Sequence, residues 1–182
     1  GVAEQLLAAG LPCPVVSVGS TPTAMYATHL RGVTELRCGV YMFGDLFQAA
    51  IGSCTEADIA ISVLAAVVGH RRDRNQLLID AGALALSKDL NTLQLPSAQR
   101  TGYGAVATLD GVRLPGLTVA GVSQEHGQIT GTAPIDFEKF PVGTRLRILP
   151  NHSCLTAAAY DRYQVLDGGH DVVATWTRTN GW

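Results

Sequence analysis

Charge is scarce in this chain. Only 15% of its 182 residues are Asp, Glu, Lys or Arg, and the formal net charge is −2. No basic surface is available for nucleic acid or for an anionic membrane, so both partner classes are excluded. A charged fraction below the usual value of about a quarter predicts that much of the surface is covered, by a partner subunit or by further parts of the same fold. Lysine is scarcer still, with only Lys88 and Lys139. Lys88 lies in a Ser-Lys-Asp turn and Lys139 in a charged loop, and both settings keep an amine ionised, so neither reads as a Schiff-base lysine. The four cysteines, Cys13, Cys38, Cys54 and Cys154, form no Cys-x-x-Cys pair and no disulfide-rich pattern. A reducing, cytoplasmic compartment is the simpler expectation. Membrane-spanning apolar runs are also lacking, because Ile59 to Val68 stops at Gly69-His70-Arg71-Arg72. There is neither a Walker loop nor a Gly-x-Gly-x-x-Gly fingerprint.

Hydrophobic residues make up 47%, enough for a real core. The chain opens on Gly1-Val2-Ala3 without an initiator Met, inside what reads as a helix, and is expected to be the C-terminal part of a longer protein. Residues 2–9 read as a short amphipathic helix closed by Gly10 and Pro12. Residues 14–18 read as a buried strand, 19–23 as a hydroxyl-rich turn, 24–30 as a helical turn and 34–38 as the lead into a strand at 40–43. This is the rhythm of a parallel βα unit. From Ala57 the texture changes to short apolar runs at 59–68, 76–79, 83–86, 104–108, 117–122 and 144–149, separated by Gly, Pro, Asn and Asp. The spacing predicts an antiparallel β sandwich or barrel, with Asp110-Gly111 as a hairpin turn. Residues 134–142 read as a loop, 155–164 as a helix and 171–176 as a last strand. The domains are expected at 1–54 and 55–182.

Several residues could carry chemistry. Gly19-Ser20-Thr21-Pro22-Thr23 offers three hydroxyls and backbone N–H groups after a strand, which suits a phosphate. Gly39, in Arg37-Cys38-Gly39-Val40, lets backbone approach an anion closely. Each is singly more often an ordinary turn. Together, after neighbouring strands, they suit one shared phosphate. His152 and Cys154 stand two apart at the end of a strand, so they point the same way if the backbone is extended. An imidazole and a thiolate suit zinc, and two ligands suit a catalytic site with open positions. Spacing alone favours a half-buried His beside a core Cys. Asp80 reads as a turn residue, Tyr103 as an exposed turn tyrosine, and Gln124-Glu125-His126 as a candidate acid/base pair. His29, His70 and His170 read as surface or helix-end residues without company.

Taken together, five segments resemble the D-serine dehydratase / D-threonine aldolase family, pyridoxal-phosphate enzymes of the alanine racemase-like type. They are Val16 to Thr23, Glu35 to Asp45, Ile79 to Asp89, Ser123 to Gly127 and Leu149 to Cys154. The resemblance implies the end of a cofactor-binding β/α barrel followed by an antiparallel β domain. It implies that Ser20 with Thr21 or Thr23 contacts the phosphate of pyridoxal 5′-phosphate, that Gly39 and Val40 give it backbone N–H groups, and that Tyr41 lies beside the cofactor. His152 and Cys154 would hold a divalent metal, zinc first, with manganese or magnesium as alternatives. The aldolases have an Asp at the second ligand position, so the Cys leans to the dehydratase branch. The implied reaction converts a D-β-hydroxy amino acid, D-serine or 3-hydroxyaspartate, to a 2-oxo acid and ammonia, in a homodimer. The family's Schiff-base lysine has no counterpart here, so the chain is not expected to work alone. The alternatives are D-threonine aldolase activity, a racemase-like relative, or a non-catalytic dimerisation or binding domain.

Overall fold

The computed structural model describes residues 1–179. The chain forms two compact units, Gly1–Met42 and the residues from Phe43 onward.

The first unit runs α1 (Val2–Ala8), β1 (Ser17–Gly19), α2 (Thr21–Tyr26) and β2 (Glu35–Arg37), and β1 and β2 form a two-stranded parallel pair. This is the expected βα rhythm, shifted locally. The hydroxyl stretch is not a free turn. Ser20 is the N-cap of α2, and its hydroxyl accepts from the Thr23 amide, as a serine before a proline-containing first turn should. Residues 40–42, expected as a strand, form a single 3₁₀ turn.

The second unit is built on a closed antiparallel barrel. Its strands are β3 (Val63–Arg71), β4 (Gln76–Ile79), β5 (Ala105–Ala107), β6 (Arg113–Val122), β7 (Gly127–Gly131) and β8 (Arg145–Leu149), in the order β3-β4-β7-β6-β5-β8. Alternation along the strands sends every second side chain inward. Two cross-strand triplets line opposite walls. Ile148 pairs with Val63 on one side and Val106 on the other. Ile129 pairs with Leu77 and with Val119. All six are buried, and with Val67, Ile79 and Leu146 they fill the interior. Register shifts at Val67/Gly69, Ala105/Ala107 and Val119/Gly121 give the bends that closure requires. Gly102 (φ +58°) must be glycine, because a Cβ there would lie 2.3 Å from the Val119 carbonyl oxygen.

Three sequence expectations need correction. Residues 83–86 form a short helix, α4 (Ala83–Leu86), because Gly82 starts the turn and Leu86 buries on one side of it. β7 was not foreseen, because its residues Gly-Gln-Ile-Thr-Gly carry only one large apolar side chain. The helix expected at 155–164 is α5 (Ser153–Ala158), after which β9 (Arg162–Leu166) pairs with β10 (Val172–Thr177). The remaining helix, α3 (Leu46–Ala50), precedes the barrel. Among the described residues no helix is long and apolar enough to cross a membrane.

Ile148→Ala removes the centre of one triplet and should cost about 3 kcal/mol. Leu64→Ala, on the outer face of β3, should stay within about 0.5 kcal/mol. Urea denaturation of the two variants in the intact protein checks both values.

Candidate functional site

The second unit gathers its chemistry at the end of β8. The chain leaves the barrel through Pro150 and Asn151, and α5 begins at once. His152 and Cys154 therefore do not share an extended strand, for His152 keeps β-region dihedrals (φ −138°, ψ 100°) while Cys154 is helical. His152 is the N-cap of α5 and Cys154 is its second residue, so their spacing belongs to a helix start and not to a strand.

Two buried polar side chains fix this corner. Asn151 is 2% exposed, and its amide is fully used. Its Oδ1 accepts from the Thr101 hydroxyl at 2.6 Å, and its Nδ2 donates to the carbonyls of Gly102 at 2.6 Å and Asp89 at 2.9 Å. Asp45 is 1% exposed. One oxygen accepts from the Gln48 amide at 2.8 Å and caps α3, and the other accepts from the Ser153 amide at 2.9 Å in the first turn of α5. The amides of Leu46 and Phe47 donate to the Pro150 and Asn151 carbonyls, completing the dock of α3 against the segment. A carboxylate shared by two helix starts offsets its own burial through N–H donors and partial positive charge at both.

The imidazole has a carboxylate beside it. His152 Nδ1 lies 3.2 Å from Asp89 Oδ2. The other Asp89 oxygen accepts from the Asn91 amide at 2.8 Å. Cys154 is exposed as a residue, yet partial burial of its thiol pushes the pKa up, and the Asp45 charge adds to the effect. Without a cation the sulfur is held as a thiol at neutral pH, and a bound metal would reverse this. Among the described residues no three His, Cys, Asp or Glu side chains form a ready-made metal cluster. The pair therefore suits a cation whose remaining positions are taken by solvent or substrate.

In the first unit the two expected anion-binding turns are tied together. The Thr21 hydroxyl accepts from the Tyr41 amide at 3.1 Å, joining the Ser20–Thr23 stretch to the Gly39–Tyr41 stretch. Thr21 is buried, while Ser20, Thr23, Gly39 and Tyr41 are exposed and Val40 is half-buried. The Ser20 and Thr23 hydroxyls lie 2.8 Å apart, within reach of one shared acceptor.

Other candidates find ordinary roles. Asp80 accepts from the Ala66 amide at 2.7 Å. Tyr103 packs on the barrel core instead of standing exposed. Glu125 and His126 lie exposed in a turn. His70 has company after all, with Nε2 at 2.7 Å from the Phe140 carbonyl and its ring against Phe137. His170 pairs with Asp110 at 2.9 Å. Both lysines are exposed, and Lys139 pairs with Asp136 at 3.5 Å. Sequence reading gave no role to Asp45, Asp89 or Thr101. Asp45 alone carried a local signal, an Asp followed three residues later by Gln, which is a helix-start pattern.

The profile of the family described as "Putative serine dehydratase domain" matches residues 60–166. D-threo-3-hydroxyaspartate dehydratase of Delftia sp. (strain HT23) is 52% identical over 186 residues, 99% of this chain and 48% of that protein. D-serine dehydratase of Dictyostelium discoideum is 35% identical over 98% of this chain and 46% of that protein. The chain thus spans about half the length of these relatives. The structure of the Delftia enzyme superposes with a TM-score of 0.88 at 50% identity, covering 99% of this chain and 48% of that one. Structures of a D-threo-3-hydroxyaspartate dehydratase histidine-to-alanine mutant and of a cysteine-to-alanine mutant in the metal-free form superpose with TM-scores of 0.88 and 0.87. D-threonine aldolase of Filomicrobium marinum, 24% identical with a TM-score of 0.68 over 96% of this chain and 43% of that one, shares the fold.

Asp45→Asn keeps the size but turns one acceptor into a donor facing an N–H group. It should destabilise the intact protein by about 1–3 kcal/mol, with a matching fall in urea midpoint and faster amide exchange at Gln48 or Ser153.

Proposed function

Because the chain belongs to the serine dehydratase domain family, we propose that it supplies the C-terminal half of a pyridoxal-phosphate- and metal-dependent lyase that converts a D-β-hydroxy amino acid to a 2-oxo acid and ammonia. D-threo-3-hydroxyaspartate and D-serine are the proposed substrates, from the names of the relatives. The observation that carries the reading is the His152–Cys154 pair with a carboxylate on the imidazole. The histidine and cysteine altered in the mutant structures of D-threo-3-hydroxyaspartate dehydratase stand two positions apart. His152 and Cys154 are the one His-x-Cys in this sequence. A metal-free form named for the cysteine mutant supports the same pairing.

Pyridoxal phosphate, when bound, supplies an electron sink for breaking the substrate Cα–H bond, and a divalent cation, zinc in our reading, supplies Lewis acidity at the β-hydroxyl. The chain's own residues do the holding. Ser20 and Thr23 offer hydroxyls to the phosphate, with backbone N–H groups of Gly39 and Val40. Thr21 keeps the two turns in register through the Tyr41 amide, and Tyr41 would lie beside the cofactor. His152 Nε2 and Cys154 Sγ would hold the cation, with its remaining positions free for substrate. The Schiff-base lysine must come from polypeptide outside this sequence, since neither Lys88 nor Lys139 belongs to the first unit. The many exposed apolar residues of that unit, among them Val2, Leu7, Val15 and Met25, support its packing against more chain. The protein is proposed to be a homodimer, and its unpaired cysteines support a cytoplasmic setting.

Three outcomes test this. In the intact protein, His152→Ala or Cys154→Ala should remove stoichiometric zinc and lower dehydration by at least about 100-fold, read by metal analysis and oxo-acid release; full turnover without metal would sink the mechanism. Glycine and an aldehyde from D-threonine, with no ammonia, would make it an aldolase. Because Cys154 must lose a proton to bind, zinc affinity should tighten by about tenfold per pH unit below the thiol's pKa, measured by chelator competition between pH 6 and 8.

A further inference from the structure

The segment from Ser87 to Asn91 is unusually constrained for a surface loop, and the constraint converges on one carboxylate. Ser87 sits at φ +72° and ψ 177°, a region almost reserved for glycine and sustained only where the surroundings enforce it. The helical turn before it, α4, is held from the α5 side. The Thr156 hydroxyl donates to the Leu86 carbonyl at 3.2 Å, and the Tyr160 hydroxyl donates to the Ala85 carbonyl at 3.1 Å. Beyond it, the Asp89 amide donates to the Ser87 hydroxyl, and the Asp89 carbonyl accepts from buried Asn151. Both Asp89 oxygens are assigned, Oδ1 to the Asn91 amide and Oδ2 to His152 Nδ1. The Asp89 side chain is 10% exposed against 34% for His152. The carboxylate is thus the fixed member of the pair, and the imidazole reaches outward from it.

An ionised carboxylate can only accept a hydrogen bond. The nitrogen facing it must therefore carry the proton, and the neutral ring then presents an unprotonated Nε2. Resting on the metal reading above, we infer that Asp89 is the positioning residue of the site. It fixes His152 as the Nδ1–H tautomer, aims Nε2 at the cation and thereby sets metal affinity. Asn151, the residue preceding His152, carries this arrangement to the barrel, since its one amide grips both the Asp89 carbonyl and the Gly102 carbonyl. The unligated protein is already in the ligating tautomer, so binding requires no proton shift within the ring.

The test uses the intact protein, metal-free, with ¹⁵N-labelled histidine at pH 8, and the variants Asp89→Asn and Asp89→Ala. In wild type, His152 should show the Nδ1–H tautomer. In Asp89→Asn the side-chain amide offers a donor as well as an acceptor, and in Asp89→Ala the acceptor is gone, so both should shift toward Nε2–H. Zinc affinity by chelator competition should weaken by about 10- to 100-fold in both. Asp89→Asn should melt near wild type, because its amide oxygen still accepts from Asn91, and this separates positioning from a structural role. An unchanged tautomer, or zinc affinity unchanged in a variant whose tautomer has shifted, overturns the inference. If zinc binds wild type and is lost in His152→Ala but not in either Asp89 variant, the metal reading stands and the inference fails. If wild type shows the Nδ1–H tautomer, lost in the variants, but binds no zinc, the metal reading fails while control of the imidazole by Asp89 is upheld.

Discussion

One buried carboxylate, Asp45, receives an N–H group from each of two helix starts, at Gln48 and at Ser153. The two residues are far apart in sequence, and each start leaves backbone donors without partners. A charge taken out of water is tolerated only if such donors surround it. The arrangement is therefore mutual. The helix starts need an acceptor, the carboxylate needs donors, and neither can move without exposing the other. Cys154 follows Ser153 directly, so the position of its sulfur is inherited from this contact.

Asn151 does the same work on the other side. Its three hydrogen bonds reach Thr101, Gly102 and Asp89. Gly102 is itself locked against β6, where it bridges to Val119. A side chain at the exit of β8 is thereby tied to the barrel wall and to the loop that faces His152. Cys154 is exposed and His152 half-buried, whereas Asp45 and Asn151, which fix the backbone on which they stand, are buried. This division, rigid support below and accessible groups above, is what a site that exchanges substrate requires.

The sequence made the architecture legible where short apolar runs were strong. β3 and β4 carry continuous apolar runs and β8 alternates Arg with Leu and Ile, and each such run bounded by turn residues reads as a strand. It failed where the side chains were small. Ala83-Leu-Ala-Leu86 alternates like a strand but forms a helical turn because Gly82 and the following Ser87 set its ends. Gly127 to Gly131 lacked bulk, although it supplies Ile129 to the centre of the core. The candidate ligands are visible as residue types, but their placement comes from a helix start, which their spacing does not reveal. Asp89 could not be paired with His152 from sequence, because nothing local connects residues so far apart. Only the folded chain brings the carboxylate to the imidazole.

Closure of the barrel has a consequence in time. β8 is the last barrel strand in the sequence, yet it lies between β3 and β5. It cannot be seated until the earlier strands are in place, and such non-local pairings form late and slowly. Asn151, His152 and Cys154 follow directly, so the corner that holds them comes into being with the final closing step. On the ribosome, a chain that has not yet delivered residue 149 has a free cysteine at 54 but no thiol–imidazole pair, and an incomplete barrel presents nothing to sequester a cation. Capture of the proposed cation would thereby be reserved for molecules that have finished folding, and its binding energy would act on the folded state alone.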